Sequence, residues 1–285
     1  MHSTPEEIKA ALDAYRSHVA ARNRQALEVY VPVIARAEVE PGDLENDDDI
    51  VGLRMDSVRQ LVGAEEEDFT KLGILVPGDV LEKYEALVPL VGLDGVSAPV
   101  LSESTPEQDE ERRARGEEYF SAVEQALRQK SLEEVRDEIA VPAELKELAT
   151  FVDGIDAPGL DHERMGCLWA GVRESPAAAA RRVKPAEEMK TSSGLDWRWE
   201  VAGGWEWGDA AEEGPFCVVY CRRADDDDKN EEWAWRYTFL SFYDYSSWVF
   251  DTIPELLAWY RDFGVEDKLP TEEDLDVDRL LDGMF

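Results

Sequence analysis

Three histidines (His2, His18, His162) and three cysteines (Cys167, Cys217, Cys221) are the residues of this 285-residue chain best suited to nucleophilic, acid–base or metal chemistry. Such a site needs a histidine or a perturbed carboxylate beside a nucleophile. His2 and His18 fall in or beside a first helix. Asp161-His162-Glu163 falls in a loop, where His162 is either an exposed loop residue or the partner of Cys167. Cys217 and Cys221 are four apart on a strand pattern. That spacing separates them by about 13 Å, too far for one metal with ligands at about 2.3 Å, so a buried sheet face suits them better. There is no Cys-x-x-Cys motif and no standard glycine-rich phosphate loop. The expectation is a chain with no catalytic set, no cofactor and no metal, hence not an enzyme.

Binding chemistry is better represented. Asp225-Asp226-Asp227-Asp228 lacks the alternating ligands, central Gly and closing Glu of a calcium loop. It is either a solvated hairpin tip or an electrostatic contact for Lys or Arg on a partner, extended by Glu231 and Glu232. Trp205, Trp207, Tyr243, Tyr245 and Trp248 are the aromatic candidates for a partner surface, because Trp and Tyr dominate interface hot spots. Trp197, Trp199, Trp235 and Trp259 are assigned to the core. An aromatic cleft flanked by Arg198 or Arg236 is a further option, for a sugar or a peptide. Arg181-Arg182-Val183-Lys184 reads as a small basic island in a surface loop.

The formal net charge of −35 decides the partner class. A surface this negative repels phosphate backbones and anionic lipid heads, which leaves a basic protein as the expected partner and excludes nucleic acid and membrane. Salt adaptation is the competing account of the acidity; nine Trp and 44% hydrophobic residues argue against it. The N-terminus lacks a basic stretch followed by an apolar one, so no signal peptide is expected. No apolar run approaches the roughly 20 residues of a membrane helix. The expected compartment is the cytoplasm, or the nucleus of a eukaryotic host, where three unpaired thiols would stay reduced.

The elements that must position these residues divide the chain. All nine Trp lie between Trp169 and Trp259, so the two parts have different cores. Residues 1–100 read as a helical domain. Thr4-Pro5-Glu6-Glu7 opens its first helix as a capping box, and further helices are expected over Arg24–Ala37, Asp48–Leu61, Glu66–Leu72 and Pro77–Leu87. Ser97–Glu111 reads as a linker, with Thr105-Pro106 as an alternative helix start. Residues 106–263 read as an α+β domain and 264–285 as an acidic tail. In the domain, a helix carries Tyr119, Phe120, Val123 and Leu127. Ser131–Glu134 forms a capping box, and Val141-Pro142-Ala143-Glu144 opens a helix closed by Asp153 and a left-handed Gly154. Strands are expected over Met165–Val172, Leu195–Val201, Phe216–Arg222 and Glu232–Phe242, with Gly203-Gly204 as a turn before Trp205 and Trp207. A closing helix follows Thr252-Ile253-Pro254-Glu255. The order specifies α+β, a mainly antiparallel sheet with helices on one face, and the other face covered by the N-terminal bundle or left for a partner.

Three features carry a family resemblance over roughly Gly116–Phe263. They are the run Val141-Pro142-Ala143-Glu144-Leu145-Lys146-Glu147-Leu148 before Asp153-Gly154, the Trp-bearing short strands around Gly203-Gly204, and Ser247-Trp248-Val249-Phe250-Asp251 leading into Ile253–Tyr260. In these the domain resembles the SUKH superfamily of Smi/Knr-type, yeast cell-wall assembly regulator-like proteins. Val141, where Leu is commoner, and the insertion Arg173–Gly194 depart from the pattern. The resemblance implies a non-catalytic protein-interaction domain, of the kind used by bacterial immunity proteins and fungal regulatory scaffolds. The alternatives are a carboxylate-dependent enzyme with an aromatic cleft, such as a glycan hydrolase with two carboxyls roughly 5–10 Å apart, and an acidic mimic of nucleic acid.

Overall fold

The computed structural model describes residues 3–38, 47–97, 106–160, 167–169, 171–172, 174–209, 213–224, 231–265 and 268–281. Asp225–Asp228, His2 and His162 lie outside them. The protein is α+β, and its chain forms two compact units. One comprises Met1–Ala14, Val96–Asp156 and Met165–Tyr260, the other Tyr15–Gly95, Ala157–Arg164 and Arg261–Phe285. Neither follows the linear division expected from composition. The first 14 residues belong to the sheet-bearing unit, and the acidic tail belongs to the helical one.

The helical unit is built on the part of α1 (Pro5–Arg36) from Tyr15 onward, with α2 (Asp47–Leu61), α3 (Glu66–Leu72), α4 (Asp79–Glu82) and α5 (Tyr84–Val91). Thr4 and Glu7 cap α1 reciprocally, Glu7 N donating to Thr4 Oγ1 at 3.2 Å and Thr4 N to Glu7 Oε2 at 2.8 Å. The helix runs on through Arg24 and Pro32 where two helices were expected, because no Gly or Pro breaks the pattern near Val19 and Asn23 gives its side-chain amide to the Leu93 carbonyl rather than acting as a cap. Leu27, Val31 and Ile34 bury against Val58, Leu61, Phe69, Tyr84 and Leu87. Glu65 with Asp68 starts α3, and Gly73 ends it in the left-handed region at φ 66°. A short tail helix, Val277–Leu281, returns Leu280 to this core. Ser57 Oγ donates to the Leu281 carbonyl at 3.1 Å.

Among the described residues the sheet-bearing unit has eight strands: β1 (Val96–Ser97), β2 (Gly154–Asp156), β3 (Cys167–Trp169), β4 (Val183–Lys184), β5 (Trp199–Asp209), β6 (Pro215–Arg223), β7 (Ala234–Leu240) and β8 (Ser247–Phe250). They pair antiparallel in the order β1-β2-β3-β5-β6-β7-β8, with β4 also on β5. Gly203-Gly204 is not a turn: β5 continues through it, with a register shift against its neighbour between Val201 and Gly203. A Cβ at Gly203 would collide with Ser131, and one at Gly204 with Met189 and the Val218 carbonyl, so the pair serves close packing. The Ser131 capping box is not formed either; Ser131 is buried and the short 3₁₀ turn Glu133–Val135 has Leu132 before it. The expected left-handed Gly154 instead opens β2, after Val152 ends the preceding helix in extended backbone.

Each sheet face has its own cover. One carries Trp205, Trp207, Phe216, Tyr237 and Phe239, fully buried, with ring contacts Trp169–Trp207 at 5.9 Å, Trp207–Tyr237 at 5.7 Å and Phe216–Tyr260 at 5.4 Å. Above it are α6 (Pro106–Lys130), α7 (Ala143–Phe151) and the closing helix α10 (Ile253–Tyr260), with α8 (Pro176–Arg182) packed on α6. The other face carries Trp199, Val201, Cys217, Val219 and Cys221. It is covered by Met189 of α9 (Ala186–Ser192) and by Leu195, so the insertion Arg173–Gly194 supplies its lid. Lys190 Nζ fixes α9 to the Trp199 carbonyl at 2.7 Å. Arg181 and Arg182 end α8, and Lys184 lies in β4. The basic island is therefore structured: Arg182 pairs with Glu174 at 2.8 Å and Lys184 with Glu206.

Candidate functional site

Of the ten residues expected to form a partner surface, the six that are described separate into three groups. Trp205 and Trp207 are core residues, fully buried on the packed sheet face, and cannot touch a partner in this fold. Glu231 is half-buried and engaged within the unit, accepting from the Arg223 backbone N–H and pairing with Arg236 at 3.2 Å. Tyr243, Tyr245 and Trp248 do come together, at the β7–β8 hairpin. Asp225–Asp228 lie outside the described residues.

The hairpin tip is an aromatic surface made by its turn chemistry. Ser241 N donates to the Ser246 carbonyl at 2.9 Å, closing the loop. Asp244 Oδ1 accepts from Ser246 N at 3.1 Å and Ser246 Oγ at 2.7 Å. These hydroxyl and amide donors, the Ser246 side chain foremost, hold the Asp244 carboxyl below its ordinary range. Tyr245 sits in the left-handed region at φ 55°, unusual for a side chain of its size. The result is Phe242, Tyr243 and Tyr245 at 51%, 71% and 82% exposure. Trp248 is anchored beneath them, its ring 5.6 Å from Phe239 and 5.7 Å from Trp259. Trp197, expected in the core, is 76% exposed. Asp196 Oδ1 accepts from Arg198 N at 2.9 Å in a turn, so the strand alternation starts only at Trp199.

A second site lies at the other end of β7, roughly 17 Å away by strand rise from Trp235 to Leu240. There β8 pairs only from Tyr237 onward, and Ala234–Arg236 extend past its end. A cleft of about 310 Å³ opens beside them. Trp233, Tyr220 and Trp235 line it, the Tyr220 ring centroid 6.0 Å from Trp233 and 4.9 Å from Trp235. Trp235, expected in the core, is only half-buried here. Arg236, one of two arginines expected to flank such a cleft, lines it; Arg198 pairs with Asp196 at 2.6 Å instead. Arg236 is in turn neutralised by Asp251 at 2.6 Å and Glu231.

Glu144, in the first turn of α7, forms the inner wall of the cleft and is almost fully buried. Its carboxylate accepts from the Tyr237 hydroxyl at 3.3 Å, from Ile253 N at 3.2 Å and from Ser3 N. Ile253 is the first residue of α10, so the charge meets a helix N-terminus. Burial, reinforced by the Glu144 charge, pushes the Tyr237 phenol well above its ordinary value. Glu144 therefore joins the chain start, α7, β7 and α10.

Sequence alone marks Glu144 as a helix opener, Trp233 and Trp235 as alternating strand residues and Trp235 as core. The signal for the cleft is the register that sets Trp235 opposite Tyr220, which is a long-range property. Cys217 and Cys221 lie buried on one face as the alternation required, and burial pushes the Cys221 thiol up to about 12. No described helix is long and apolar enough to cross a membrane. Compared with protein-family models, characterised proteins and solved structures, the chain gives no match.

Proposed function

We propose that this protein is a non-catalytic binding protein of SUKH type that occludes a basic protein partner, as an immunity protein or a regulatory scaffold. The observation that carries this reading is the hairpin tip: Tyr243 and Tyr245 at 71% and 82% exposure, backed by Trp248, on a chain of net charge −35. Large exposed aromatics supply anchors at protein interfaces, and an anionic surround speeds encounter with a cationic partner and rejects others. Three free cysteines, two of them buried, fit work in a reducing cytoplasm.

The test uses the full chain as bait in host lysate at low and moderate salt, with bound proteins quantified by mass spectrometry. Tyr243→Ala with Tyr245→Ala is the comparison bait. Both rings are exposed, so the double variant keeps its fold within about 0.5 kcal/mol of wild type. A basic protein is expected to be retained by the wild type, weakened by salt, and lost by tenfold or more in the double variant, about 1.4 kcal/mol or more. Asp225→Lys with Asp227→Lys is expected to weaken low-salt capture and flatten its salt dependence. Equal capture by wild-type and tip-variant baits overturns the proposal.

A further inference from the structure

We propose that the cleft at the open end of β7 is a receptor for one arginine side chain presented by a peptide segment of the partner. The inference takes its ligand class, a basic protein, from the preceding reading but rests on a different part of the surface.

Size sets the first bound. At about 310 Å³ the cleft is at the small end of ligand pockets, suited to a single side chain and too small for a docked helix. Charge sets the second. Glu138, Glu144 and Asp251 line the cleft against one cation, Arg236, and that cation is already paired with Asp251 and Glu231. Glu144 is met by neutral donors only, and Glu138 has no ion-pair partner among the described residues. The lining thus carries surplus negative charge beside the half-buried ring of Trp235.

The molecule contains its own example of the proposed contact. The Arg222 guanidinium lies 4.2 Å from the Trp233 ring centroid, with Nη2 2.7 Å from Glu200. An indole face and a carboxylate hold that planar cation together. The cleft offers the same two groups one ring further along, in Trp235 and Tyr220 with Glu138. Arginine fits better than lysine because its flat guanidinium stacks on a ring while its N–H fork meets a carboxylate.

The probe is a blocked Gly-Arg-Gly peptide titrated into the full chain, read from the tryptophan indole N–H signals in heteronuclear NMR spectra. The lysine peptide and the neutral, nearly isosteric citrulline peptide are the comparisons. The expected result is movement of the Trp233 and Trp235 signals, with citrulline binding about tenfold or more weaker, as the loss of a stacked and paired cation requires. Trp235→Ala abolishes the response. Glu138→Gln, an exposed change that leaves the fold intact, weakens it several-fold, whereas Tyr243→Ala leaves it unchanged. Equal binding of citrulline and arginine overturns the proposal. So does no effect of Glu138→Gln, or a stronger response of the same signals to a neutral oligosaccharide. If the peptide fails while partner capture still depends on Tyr243 and Tyr245, only the cleft proposal falls. If the peptide binds while capture ignores the hairpin tip, only the tip reading falls.

Discussion

The two ends of β7 use the same residue types in opposite ways. At Leu240 the strand runs into a turn that turns Phe242, Tyr243 and Tyr245 outward, where they support little besides themselves. At Ala234 the rings of Trp235 and Tyr237 are held against their neighbours, and a buried carboxylate binds Tyr237 to two other segments. Aromatic exposure and structural importance are therefore separable along one strand. The tip can vary without affecting the fold, whereas Glu144 and Tyr237 in the buried wall of the cleft cannot.

Substitutions at the two ends test that contrast. The largest effect is expected from Glu144→Ala, which leaves the Tyr237 hydroxyl and the Ile253 and Ser3 amides without their acceptor. Lost hydrogen bonds to a charged group predict a destabilisation on the order of 4 kcal/mol, read as a lower urea midpoint at unchanged slope. A loss under about 1 kcal/mol would mean that the three segments hold together without it.

Tyr237→Phe keeps the ring and removes one of those bonds, at a cost of about 2 kcal/mol near neutral pH. It also changes the alkaline limb. The folded-state pKa of Tyr237 lies well above its ordinary value of 10.0, so the stability tied to the neutral phenol is complete below that pH. It is lost as pH rises past it, because the unfolded chain then releases a proton that the folded chain keeps. The variant is expected to show a shallower fall in stability above pH 10 than the wild type; parallel curves would assign the slope to other buried phenols such as Tyr260.

The smallest effect belongs to the tip. Tyr245→Gly relieves a bulky residue of its left-handed backbone and is expected to raise stability by about 1 kcal/mol or less. The same change should reduce partner capture. Stabilisation with capture intact would show that the strained turn serves the hairpin rather than the ring it displays.

Much of the fold was legible in the chain. The bounds of α3 follow from Glu66–Leu72 between a capping box and Gly73, and α2 differs from expectation by one residue. The alternation of Cys217, Val219 and Cys221 placed those residues on one face. What was not legible depends on partners distant in sequence. Period-2 alternation says that two sets of residues face apart, but not what covers each set. Gly203-Gly204 has the composition of a turn, and only Ser131 and Met189, packed against it, show why it lies in a strand. The Trp205–Trp207 pair was expected at the surface for the same reason. Tyr243 and Tyr245 were found because turn residues and exposure are local properties. An aromatic cleft beside Arg236 was legible only in outline, because its lining by Tyr220, Trp235 and Glu144 needs β6, β7 and α7 brought together.

The way both cores draw on distant stretches of sequence has a consequence for how the protein folds. Leu280 packs into a helical core whose other buried members lie between Leu27 and Leu93, while Ser3 N donates to Glu144, 141 residues further along. No uninterrupted stretch of sequence carries either unit. Each core therefore closes only after long loops have closed, with apolar strands exposed meanwhile, and the dense negative charge acts as a built-in solubiliser during that search.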